Sequence, residues 1–115
     1  MTSHLTPKTI GKIAERFRLL GEVTRLKLLS ELREEEFSVS ELVKLTKLSQ
    51  PNVSRQLQAL AKGGILTRRK DGLVVYYRIS DPRVLELCKL VCDSLEEHHQ
   101  NEAKAFRIKG KKNKR

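Results

Sequence analysis

One stretch of the chain is dense in side chains that recognise hydrogen-bonding edges. Ser49-Gln-Pro-Asn-Val-Ser-Arg-Gln-Leu-Gln58 groups Gln50, Asn52, Ser54, Arg55, Gln56 and Gln58 around Val53 and Leu57. An arginine fork matches the O6 and N7 edge of guanine, while asparagine and glutamine offer the donor and acceptor that pair with adenine. A second group is Arg68-Arg69-Lys70, directly before Asp71-Gly72. Cations there can lie along a phosphate backbone, which positions a protein without reading sequence. A third group is Cys88 and Cys92, one helical turn apart. Such thiols can be oxidised, can hold a soft thiophilic ion, or can simply fill an apolar core. An enzyme is not expected: there are three histidines, two of them adjacent, no Gly-rich phosphate loop and no nucleophile–base pair.

The elements that must position these groups are legible in the periodicity. Thr6 caps a helix with Pro7 at its first position, and Ile10, Ile13, Ala14, Phe17 and Leu20 give it an apolar stripe over 7–20. Gly21 ends it, and Leu26, Leu28, Leu29 and Leu32 form a second helix from about Val23, closed by the acidic run Glu34–Glu36, read as a solvated loop. Ser38-Val-Ser-Glu41 is a capping box that opens a short helix ending near Lys47. Ser49 then caps another helix, with Pro51 in its first turn. Val53, Leu57 and Leu60 face inward there, Pro51, Arg55, Gln58 and Lys62 face outward, and Asn52 and Ser54 flank them. Gly63-Gly64 stops it with left-handed backbone. The period then drops to two. Ile65–Arg69 and Val74–Ile79 predict a β-hairpin around Asp-Gly. After Asp81-Pro82, a stripe of Val84, Leu87, Cys88, Val91, Cys92 and Leu95 predicts a last helix to about His99.

This order is mainly α with a β-hairpin wing: five helices in a winged helix-turn-helix, with residues 1–100 as the domain and 101–115 as a basic tail. The chain of 115 residues carries 24 Lys plus Arg against 14 Asp plus Glu, a net +10. The tail alone holds seven cations (Lys104, Arg107, Lys109, Lys111, Lys112, Lys114 and Arg115) against Glu102. It is expected to fray beyond about residue 108, as a solubilising end or an arm that adds phosphate contacts. No stretch is apolar enough to span a membrane, Met1-Thr-Ser-His4 lacks the apolar core of a secretory signal, and two cysteines make no disulfide scaffold. A cytoplasmic setting is the expectation.

A capped turn, a polar outer face, an adjacent basic hairpin and the positive charge together point to double-stranded DNA. The candidate contacts are Gln50, Asn52, Ser54, Arg55, Gln56 and Gln58 on the helix and Arg68, Arg69 and Lys70 on the hairpin. A bland surface helix would carry the same polar residues without a ligand. The alternative function is a nonspecific or architectural nucleic-acid-binding protein driven by charge. A winged-helix module for docking proteins is less well served, since such a face would carry exposed aromatics.

Leu20-Gly-Glu-Val-Thr-Arg-Leu-Lys-Leu-Leu29, Leu48-Ser-Gln-Pro-Asn-Val-Ser-Arg-Gln-Leu57 and Val75-Tyr-Tyr-Arg-Ile79 resemble the ArsR/SmtB winged-helix repressors over about Ile13 to Leu95. The resemblance implies a homodimeric repressor that pairs through its first and last helices, blocks a palindromic operator and leaves it when an effector binds. A dimer would set two recognition helices in major grooves about 34 Å apart.

The sequence departs from the family's metal sensors. Phe37-Ser-Val-Ser-Glu-Leu-Val43 has no cysteine where the arsenic and cadmium sensors carry theirs. Of the four zinc-sensor ligand positions, Asp81 and Glu97 match, while Arg83 and Ser94 do not. No metal site and no cofactor is therefore expected, apart from a thiophilic metalloid at Cys88 and Cys92, the candidate thiol sensor. At i and i+4 their Cβ atoms would lie about 5–6 Å apart, beyond the roughly 3.5–4.5 Å of a disulfide. Pairing between chains of a dimer stays open beside the core reading. His98 and His99 read as partners of a helix C-terminus.

Overall fold

The computed structural model describes residues 5–108, with side chains to residue 102. The chain divides after Asp81 into two compact units. Within the described residues the first holds α1 (Pro7–Leu20), α2 (Val23–Leu32), β1 (Phe37–Ser38), α3 (Val39–Thr46), α4 (Gln50–Lys62), β2 (Leu66–Asp71) and β3 (Val74–Ile79). The second is a single helix, α5 (Arg83–Ile108).

Helix ends follow local hydrogen-bonding chemistry. The Thr6 hydroxyl accepts from the Thr9 N–H at 3.1 Å, and Pro7 occupies the first position of α1. Glu22, whose capping role the leucine spacing does not reveal, accepts from the Arg25 N–H at 2.9 Å and so starts α2. The Ser38–Glu41 box is closed in both directions, at 3.1 and 2.8 Å. At the end of α4 the Ile65 N–H reaches the Leu60 carbonyl and the Gly64 N–H reaches that of Ala61. That is a Schellman closure with its left-handed residue at Gly64 (φ +84°), while Gly63 keeps a negative φ. Gly63 serves a different purpose: a Cβ there would run into the Leu19 side chain of α1.

The core of the first unit is leucine-rich. Leu28, Leu29 and Leu32 of α2, Leu42 of α3, Val53, Leu57 and Leu60 of α4, and Ile65 are all fully or almost fully buried. The expected inward face of α4 is therefore the buried one. In contrast, Ile10, Ile13 and Phe17 of α1 are about half exposed or somewhat less, and only Leu20 of that helix is buried.

The sheet has the order β1-β3-β2, all antiparallel. Its third strand is absent from the sequence reading, because two residues are too short to show alternation. Phe37 pairs with Tyr77 and Ser38 with Tyr76. The hairpin is also tighter than expected: strands run to Asp71 and from Val74, leaving Gly72-Leu73 as a two-residue loop. Left-handed φ occurs there only at Gly72 (+66°), as a type II′ turn requires.

Helix α5 passes the expected stop near His99 and continues to Ile108. Asn101–Ile108 contains no Gly or Pro and includes two alanines, so nothing local halts it. His98 and His99 are thus interior to the helix and not at its C-terminus. His98 Nε2 lies 3.3 Å from Glu102 Oε2, an i,i+4 pair. Residues 109–115, the greater part of the basic tail, lie outside the described residues. Leu90, Val91 and Leu95 are exposed along α5, and no helix of the described residues is long and apolar enough to cross a membrane.

Candidate nucleic-acid interface

Helices α3 and α4 are joined by Lys47-Leu48-Ser49, and the turn depends on Lys47 adopting left-handed backbone (φ 62°, ψ 21°). Its N–H closes α3 on the Val43 carbonyl, and the Thr46 hydroxyl donates to the Leu42 carbonyl at 2.7 Å while accepting from the Leu48 N–H. Ser49 then opens α4 by accepting from the Asn52 N–H at 3.3 Å. With Val53, Leu57 and Leu60 held in the core, the opposite side of α4, with Gln50, Pro51, Arg55, Gln58 and Lys62, faces water.

The six candidate residues of α4 are not equivalent. Gln50, Arg55 and Gln58 are exposed, and Arg55 makes no ion pair among the described residues. Gln58 donates to the Ser54 hydroxyl at 3.2 Å. Gln56 differs from the expectation. It is half-buried, its Oε1 accepts from Arg25 Nη1 at 2.8 Å, and its Nε2 donates to Asn52 Oδ1 at 3.2 Å. An amide engaged at both ends is held in place by the scaffold, with one N–H and one lone pair left over. Arg25, which holds it, lies in the Leu20–Leu29 stretch, where the sequence gives it no site role. One signal was available: a cation in the first turn of a helix opposes the dipole and wants a tertiary partner.

The pleat also separates the hairpin cations. Arg68 and Lys70 share one face of β2 and Arg69 takes the other. Arg68 joins Gln58, Ala61, Lys62 and Tyr77 around an open cleft of about 450 Å³ between α4 and the hairpin. Two cations on its rim suit a phosphate. Arg69 is engaged within the wing itself. Its Nε and Nη2 donate to both oxygens of Glu36 at 2.9 and 2.8 Å, and its guanidinium lies 4.7 Å over the Tyr76 ring. The Glu36 carboxyl is held below its ordinary value chiefly by that hydrogen bond, and Arg69 is correspondingly raised. The acidic run is therefore not simply solvated, since Glu36 anchors the hairpin. Leu73 stands fully exposed at the tip.

Cys88 is half-buried and Cys92 exposed, so within one chain Cys92 is not a core residue. Among the described residues no three His, Cys, Asp or Glu side chains gather into a metal-holding group.

Comparison with known proteins places this geometry. Residues 22–68 match the model of bacterial regulatory proteins of the arsR family. A transcriptional repressor SmtB homolog of Synechocystis is 36% identical over 86 residues, 75% of this chain and 65% of that protein, so the chain spans just under two thirds of that relative. The crystal structure of the antimony-specific transcriptional repressor AntR superposes with a TM-score of 0.75 at 34% identity, covering 86% of this chain and 90% of that one. A homodimeric winged helix-turn-helix DNA-binding domain from Mycobacterium bovis gives 0.71 at 30% identity, covering 85% and 93%. With its α3–turn–α4 unit, its β2–β3 wing and these likenesses, the chain belongs to the arsR family of winged helix-turn-helix transcriptional regulators.

Proposed function

We propose that the protein is a homodimeric, sequence-specific DNA-binding repressor that acts in the cytoplasm on a palindromic operator. One observation carries the reading: α4 is pinned by three buried apolar residues while Gln50, Arg55 and Gln58 stay exposed. A helix fixed on one side and polar on the other fits the major groove. Asn52 and Ser54 flank these readers. Arg68, Lys70 and Lys62 supply backbone contacts, and Arg69 holds the wing rather than the duplex. The half-exposed apolar stripe of α1 and the exposed one of α5 are the surfaces a second copy would cover. Release follows capture of a thiophilic metalloid, or oxidation, at Cys88 and Cys92, for which the likeness to an antimony-specific repressor offers the first reagent.

The test is a gel shift on the DNA upstream of the protein's own coding region against random duplex, with and without reductant, Zn(II), As(III) and Sb(III). A repressor binds its site about 10³-fold or more above random duplex. Equal affinity for both would favour the charge-driven, nonspecific alternative.

A further inference from the structure

Three side chains form a hydrogen-bonded line from the end of α1 to the polar side of α4. Arg25 of α2 donates through Nε to the Leu19 carbonyl at 2.6 Å and through Nη2 to the Arg18 carbonyl at 3.5 Å. Both carbonyls belong to the last turn of α1, where no intrahelical donor remains for them. The same guanidinium uses Nη1 on Gln56 Oε1, and Gln56 uses Nε2 on Asn52 Oδ1.

Resting on the DNA-binding reading above, we propose that Arg25 is a positioning residue that fixes which end of the Asn52 amide meets the base. Donor and acceptor inventory alone sets the direction. A guanidinium has five N–H donors, no acceptor, and keeps its proton. Gln56 must therefore turn its oxygen to Arg25, which leaves its nitrogen for Asn52. Asn52 must answer with its own oxygen. The Asn52 NH₂ is then the end without a partner among the described residues. Polarity is relayed in one direction through two amides that could each flip if Arg25 were absent.

The consequence is a base preference. An unrestrained asparagine pairs bidentately with adenine, using both ends. Asn52 leads with its donor end, which suits the major-groove acceptors of guanine (O6 and N7), thymine (O4) and adenine (N7) and disfavours cytosine, whose edge offers only the N4 donor. Gln56→Glu reverses the relay. A glutamate accepts at both oxygens, so it keeps Arg25 and obliges Asn52 to give its NH₂ inward, turning its oxygen to the base.

The experiment selects bound sequences from a duplex pool with a randomised core, using the full-length protein, Gln56→Glu, Arg25→Met and Asn52→Ala. Asn52→Ala identifies the Asn52-dependent position as the one that relaxes. The wild type disfavours cytosine there, and Gln56→Glu, with an acceptor leading, admits cytosine and disfavours guanine and thymine, each by about fivefold or more, the scale of one net hydrogen bond. Arg25→Met loses the preference without inverting it. Because Arg25 also closes α1, its replacement can unfold the protein; Gln56→Glu keeps that closure and decides the question alone. An unchanged preference in Gln56→Glu, or no Asn52-dependent position, overturns the relay while leaving DNA binding intact. A wild type that selects no sequence overturns the DNA-binding reading and the relay with it.

Discussion

Arg69 and Glu36, thirty-three residues apart, meet as a two-pronged pair with both donor–acceptor distances below 3 Å. Their contact joins the segment before β1 to the strand that carries the wing cations. Because Tyr76 lies directly across from Arg69 in the sheet and under its guanidinium, the pair is held from two sides.

That pair sets an acid sensitivity. A carboxyl whose pKa is lower folded than unfolded stabilises the fold above the unfolded value and loses that contribution as pH falls through the folded one. Glu36 starts from an ordinary value of 4.5 and is lowered, first by the Arg69 hydrogen bond. Glu36→Gln is expected to flatten the fall in melting temperature from about pH 5 to about pH 3. Glu22, lowered chiefly by the Arg25 N–H, leaves a residual slope. Identical melting curves over that window would count against the clamp.

Arg55→Ala is expected to weaken binding to a selected operator by about 1–3 kcal/mol while hardly changing binding to random duplex. Arg68→Ala should weaken both alike and lower the salt slope by about one. Titrations at several salt concentrations separate the two behaviours, and an exchange of roles between the two arginines would refute the interface.

Phe17→Glu places a charge on the α1 stripe, where Phe17 is 53% exposed in the single chain. Sedimentation should then report a single-chain mass where the unchanged protein gives twice that. A variant that still pairs would move the dimer contact elsewhere.

Lys47→Gly is expected to stabilise the domain by up to about 1 kcal/mol, since glycine takes left-handed backbone without the Cβ penalty. Lys47→Val should destabilise it, because a β-branched residue is a true outlier there. Urea melts of the two variants should move in opposite directions from the unchanged protein.

Much of the scaffold is legible in the sequence because it rests on local rules. The Ser38–Glu41 box, the Ser49 cap and the Val53, Leu57, Leu60 face each depend on residues within a turn or two of one another. What stays hidden are pairings between distant residues. The two residues of β1 show no period, and nothing near Glu36 announces Arg69. Likewise, nothing near Gln56 announces that Arg25, from another helix, engages its amide. The stop at His99 fails because the apolar stripe ends there while helix propensity does not.

Ser38 belongs to two elements at once. It pairs with Tyr76 in the central strand, and its hydroxyl and N–H both engage Glu41 at the start of α3. It is also the buried polar residue among the described residues of the first unit. The wing and the helix-turn-helix thus share Ser38 as a rivet. A tilt of the hairpin would pull on the head of α3 through this residue, so the proposed phosphate contacts of the wing and the proposed base contacts of α4 rest on one linked scaffold.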